Sequence, residues 1–153
     1  MKFDEVRACL ENDGWPVELV SEVTMRSRFR SGDRIFPLFV HLESVAMGKP
    51  ASGEPAAGPA TDLTYATFAV IPFARLPTDE TGDQLADRLL ELNREMNLAK
   101  FSLDEDGDVI LSVEYPLADL DPSEVRDAVD VLSFYAEKYR DEVQGAVSAA
   151  PPP

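Results

Sequence analysis

Residues 101–117 read FSLDEDGDVILSVEYPL. Asp104, Glu105, Asp106 and Asp108 crowd around Gly107. The stretch is either a calcium loop or a tight turn between two strands. An EF-hand loop needs oxygen ligands at positions 1, 3, 5 and 12, with glycine at 6. With Gly107 at position 6, Asp104 and Asp106 fall at 3 and 5, Ser102 at 1 and Val113 at 12. Val113 has no side-chain oxygen. Glu114 comes one residue too late and, in a strand, points to the other face. The bidentate ligand is missing, so the stretch reads as a turn.

Matching of faces fixes its register. Phe101 and Leu103 share one face of the first strand; Val109, Leu111, Val113 and Tyr115 share one face of the second. Paired residues lie on the same face. A two-residue Asp106-Gly107 turn would pair Leu103 with Ile110 and split the apolar sets. A three-residue loop, Glu105-Asp106-Gly107, pairs Leu103 with Val109 and Phe101 with Leu111. It also places Gly107 at the left-handed position of a turn with a G1 bulge.

Working outward, the chain alternates helical and strand periods. Phe3, Val6 and Leu10 recur at helical spacing, and Gly14 and Pro16 stop that helix. Trp15 should cover the edge of the core. From Val23 to Arg30, Val23, Met25 and Phe29 alternate with Thr24, Arg26, Arg28 and Arg30. Ser31-Gly32-Asp33 turns the chain, and Phe36, Leu38, Val40 and Leu42 face one way along a return strand to about Glu43. Pro37 cannot donate to a ladder, so it marks an edge, a bulge or an N–H position that faces no partner. A third strand, Leu63 to Phe73, is apolar on both faces and should be a central strand covered on both sides. Thr81 with Gln84 forms a candidate capping box for a second helix striped by Leu85, Leu89, Leu92 and Met96. Asp121, Pro122 and Glu124 start a third helix, with Val125, Ala128, Val129, Leu132, Ala136, Tyr139 and Val143 as its stripe. Phe134 and Tyr135 widen that stripe beyond one core contact.

The expected order is helix, three strands, helix, two strands, helix. This is an α+β fold: an antiparallel sheet with helices mainly on one face. We expect one domain over residues 1–145. Residues 45–62, rich in Gly, Pro and Ala, read as a flexible surface loop. Residues 146–153 read as a disordered tail.

Composition narrows the function classes. The net charge is −15, which disfavours nucleic acid and anionic membranes as partners and reads either as solubility or as complementarity to a basic protein partner. No apolar run is long enough for a membrane span, and the N-terminus lacks the pattern of a signal peptide. The single cysteine, Cys9, cannot form an internal disulfide and fits a reducing, cytoplasmic setting. Its acidic neighbours would not activate the thiol. The one histidine, His41, cannot build a Cys/His metal cluster and reads as a partly exposed strand residue. No phosphate-binding glycine loop is present. No catalytic residue, metal ligand or cofactor is indicated.

One polar feature stands out. Arg26, Arg28 and Arg30, joined by Arg34 across the turn, make a cationic strand face on an anionic chain. These arginines could pair with the protein's own acidic helices or stay solvated. Alternatively they form a groove for an acidic peptide or ligand, since guanidinium matches carboxylate.

Residues 89–139, LLELNREMNLAKFSLDEDGDVILSVEYPLADLDPSEVRDAVDVLSFYAEKY, resemble the YbjN family of bacterial proteins. The marks are LN near a helix end, KF opening a strand, the acidic-Gly turn, the YPL element and the final helix. The preceding IPFARLP extends the likeness over most of the chain. The family is similar in fold to type III secretion chaperones and is described as sensory-transduction or stress regulators. The resemblance implies a noncatalytic regulatory or chaperone-like module that binds a protein or peptide. Dimerisation, common among such chaperones, would cover the widened face of the third helix. The competing reading is a small-molecule-binding or metal-dependent enzyme with its site in a pocket between helix and sheet.

Overall fold

The turn at Gly107 forms in the expected register: Phe101 pairs with Leu111 and Leu103 with Val109. Gly107 has φ +79°. Its N–H donates to the Asp104 carbonyl (3.2 Å), and the Asp104 N–H donates to the Asp108 carbonyl (3.1 Å). One Asp104 carboxylate oxygen accepts the N–H groups of Asp106 and Asp108, both at 2.9 Å. Asp104 therefore works as a turn residue.

The computed structural model describes residues 1–46 and 62–148. The order is α1 (Phe3–Asn12), β1 (Glu18–Leu19), β2 (Thr24–Ser31), β3 (Arg34–Ala46), β4 (Asp62–Arg75), α2 (Glu80–Glu95), β5 (Lys100–Leu103), β6 (Asp108–Pro116) and α3 (Pro122–Ser148). The fold is α+β, with one six-stranded antiparallel sheet in the order β1-β2-β3-β4-β6-β5. The short β1 was not expected. It holds two residues, too few for alternation to register. Most of the loop expected at 45–62 and most of the tail expected at 146–153 lie outside the described residues. Within them, β3 runs to Ala46, β4 starts at Asp62 and α3 continues to Ser148.

Helix starts follow capping chemistry. Asp121 Oδ1 accepts the N–H groups of Ser123 (2.7 Å) and Glu124 (3.1 Å), and Glu124 Oε2 accepts the Asp121 N–H (2.9 Å). This is the expected capping box. The start of α2 corrects an expectation. Asp79, not Thr81, is the cap, and its Oδ1 accepts the Thr81 N–H at 3.0 Å. A carboxylate two residues earlier meets the first free N–H groups before Thr81 can.

β4 is central, between β3 and β6. It also runs past its expected end at Phe73. Val70 pairs with Leu111 and Ala74 with Val109, so Ile71, Pro72 and Phe73 stand against Ile110 alone. This bulge carries Phe73 into the core. Ring contacts then run unbroken from Trp15 through Phe29, Phe36, Phe73 and Phe101 to Tyr139 and Tyr135 of α3. The expected α3 stripe, Val125 to Val143, is buried throughout. The core takes one sheet face only: Met25, Phe36, Leu38, Val40, Phe68, Val70, Leu111 and Val113 join it with the helices. Residues of opposite parity, such as Phe39, Tyr65 and Ile110, are only half-buried and stand outside that cluster. Among the described residues no helix covers the second, open face, although Ala69 and Ser112 are buried there, so β4 is packed on one side and not on both as its two apolar faces suggested.

Candidate functional site

Among the described residues only one of the four singled-out arginines, Arg26, has an acidic partner. Arg26 donates from Nε and Nη2 to Glu18 Oε2, at 2.9 and 2.8 Å. That partner lies on β1, not on an acidic helix. Among the described residues no ion pair or hydrogen bond engages the guanidinium of Arg28 or Arg30, and both side chains are exposed. The register places Arg26 opposite Phe39, Arg28 opposite Pro37 and Arg30 opposite Ile35, all on the open face.

Arg34 does not join them. It pairs with Ser31, whose side chain is buried on the helix face, and it shares parity with Phe36. Its Nη1 is buried without a hydrogen-bond partner among the described residues. Arg140 of α3 donates to the neighbouring Ser31 carbonyl. Across this two-residue turn, even-numbered residues of β2 share a face with odd-numbered residues of β3. Arg34 therefore turns away from the other three, correcting the four-residue grouping.

The edge of β2 adds backbone groups to this surface. Val23 O accepts from Leu42 on β3, whereas Thr24 O accepts from Val20 on the β1 side. In an antiparallel strand a residue's N–H and C=O point to the same side, and sides alternate. Thr24, Arg26, Arg28 and Arg30 thus face away from β3. Pro37 agrees: opposite Arg28 it needs no N–H toward β2, and the ladder to β4 begins only at Leu38. β1 pairs no further along β2 than Arg26. The outward backbone groups of Arg28 and Arg30 have no partner in the described ladder.

A cleft of about 590 Å³ opens at this point, lined by Pro16, Val17, Glu18, Arg26, Ser27, Arg28, Ile35 and Pro37. Its walls are mixed, with Pro16, Val17, Ile35 and Pro37 beside Glu18, Arg26, Ser27 and Arg28, and Ile35 is 56% exposed. Its single carboxylate, Glu18, is held by Arg26. No second carboxylate is available there for acid/base work. The cleft lies at the strand edge, not between helix and sheet as the enzyme reading required.

Other candidates have structural settings. His41 is exposed, and its Nδ1 lies 2.7 Å from Thr24 Oγ1. Cys9 is a half-buried free thiol packed against the core. Among the described residues no group of three His, Cys, Asp or Glu could hold a metal ion, and no helix is long and apolar enough to cross a membrane. On α3, Tyr135 enters the core and its hydroxyl accepts the Asn97 N–H at 3.0 Å. The extra apolar surface expected there reduces to Phe134, 59% exposed, with the Lys138 ammonium 6.0 Å from its ring centre.

None of the curated proteins compared with the chain matches it. A family model does, over residues 69–148, which is just over half of the 153 residues. That span runs from the middle of β4 through α2, β5 and β6 to the end of α3. It contains the LN, KF and YPL elements of the resemblance. Its description is that of a peptide-binding chaperone, and the chain belongs to this family, TY-Chap1: T3SS (YopN, CesT) and YbjN peptide-binding chaperone 1.

Proposed function

We propose that this chain is a noncatalytic regulatory or chaperone-like module that binds an acidic peptide along the β2 edge of the open sheet face. One observation carries the reading: among the described residues Arg28 and Arg30 have no ion-pair partner and lie side by side on a chain of net charge −15. Self-repulsion among acids makes unpaired cations conspicuous, and arginine forks suit carboxylates. Arg26 contributes less, because Glu18 already holds it. The test is binding of acidic peptides by Arg28→Glu and Arg30→Glu proteins whose circular dichroism is unchanged. The reading requires a loss of about tenfold or more; unchanged affinity removes it.

The proposal extends to the setting. The module is one domain over residues 1–145 that works in the cytoplasm as a homodimer, apart from nucleic acid and membrane. Phe134 supports self-association, because an exposed phenylalanine on a long helix is best covered by a second copy. Light scattering at micromolar concentration should give twice the chain mass, and Phe134→Glu should halve it. A monomeric wild type contradicts this part alone.

A further inference from the structure

We infer that the cleft beside β2 captures the C-terminal end of the partner polypeptide, with an apolar last residue in the cleft and its terminal carboxylate on Arg28. This rests on the peptide-binding reading above and names which part of the peptide is read.

Direction and blockage point to a chain end. An extended segment continuing the direction of β1 is antiparallel to β2 and runs from Arg30 toward Arg28. It then meets Pro16, Val17 and Glu18, which wall the cleft, and the Glu18–Arg26 ion pair beyond. A chain passing through would have to displace that pair. A chain that ends there would not.

The chemistry of the walls points the same way. Val17, Ile35, Pro16 and Pro37 offer apolar contact, while the free cation at the rim is Arg28. An internal Asp or Glu would supply the carboxylate but leave the apolar walls uncovered. A terminal Val, Leu or Ile supplies both, from adjacent atoms. The outward N–H and C=O of Arg28 stand ready for the backbone of that residue. Arg30 lies two residues along the same face, so the partner residue two before the end should be acidic. The motif expected is Asp or Glu, any residue, then an apolar C-terminal residue.

Fluorescence anisotropy on the full chain tests this with three labelled peptides. One ends Glu-Ser-Val with a free carboxylate, one has the same sequence with a C-terminal amide, and one carries Glu-Ser-Val internally. We expect the free end to bind at least about tenfold more tightly than either of the others. Arg28→Gln should erase that preference, and Ile35→Ser should weaken the free-ended peptide. Equal binding of all three would overturn end capture while leaving acidic-peptide binding intact. Binding of none of the three, nor of any acidic peptide, would overturn the underlying reading as well.

Discussion

Asn93 and Phe101 bond each other reciprocally. Asn93 Nδ2 donates to the Phe101 carbonyl (3.0 Å), and the Phe101 N–H donates to Asn93 Oδ1 (2.6 Å). One side chain thus clamps the end of α2 to the edge strand β5 through both backbone groups of one residue. Asn93 is the N of the LN element and Phe101 the F of KF, so the two elements that carry the resemblance are one structural device.

Asn93→Ala leaves both backbone groups of Phe101 without these partners, at a half-buried site. The expected cost is about 2 kcal/mol in urea unfolding. Asn93→Asp keeps the acceptor but sets a carboxylate oxygen against the Phe101 carbonyl, so it should destabilise as well, less so at a pH that protonates the carboxyl. A neutral alanine variant would show that water replaces the clamp.

Two helical glycines should respond oppositely to alanine. A Cβ at Gly82 would sit 1.9 Å from the Pro77 carbonyl oxygen, whereas a Cβ at Gly145 meets nothing within 4 Å. Gly82→Ala should destabilise by about 1–3 kcal/mol through overpacking. Gly145→Ala should stabilise by about 0.5–1 kcal/mol, the ordinary helix gain. Thermal melts of the pair check both signs against one background.

The Asp121 cap gives a pH signature. Its carboxyl is held below the usual carboxylate range, first by the Ser123 hydroxyl and then by the N–H groups of Glu124 and Ser123. A depressed folded-state pKa means stabilisation that is complete above the unfolded value and lost as pH falls through the folded one. Asp121→Asn should therefore melt lower than wild type at neutral pH, and the gap should narrow on acidification. A gap that does not change with pH would mean that the charge is not what caps α3.

Peptide binding at Arg28 and Arg30 should weaken as salt rises, because both groups are exposed and screened by counterions. The apolar contacts in the cleft should keep a salt-resistant remainder. Titrations at two ionic strengths separate the parts, and affinity independent of salt would speak against the arginines.

Much of this architecture was legible in the residues because parity and helical period are local signals. The Gly107 register followed from keeping Leu103 and Val109 on one face. Asp121 announced its cap through Pro122 and Glu124. Other features depend on what approaches from elsewhere in the chain. β1 forms only because Thr24, Met25 and Arg26 offer it an edge. The Phe73 bulge appears only when β4 is aligned with β6. Tyr135 looked surplus on α3 because its acceptor role toward Asn97 reaches the loop between α2 and β5. The Arg34 error was avoidable, since the Ser31–Arg34 turn exchanges odd and even faces. The cleft was not legible, because Pro16 and Val17 reach Ile35 and Pro37 only through the fold.

On the reading proposed above, peptide meets the open sheet face at the β2 edge. Backbone amide NMR of the full chain, titrated with the free-ended Glu-Ser-Val peptide, tests it most directly. The largest shifts are expected at Val17, Arg28, Arg30 and Ile35, with protection of the Arg28 and Arg30 amides from exchange. Shifts confined to the helix face around Phe134, or no saturable shifts at all, would contradict it.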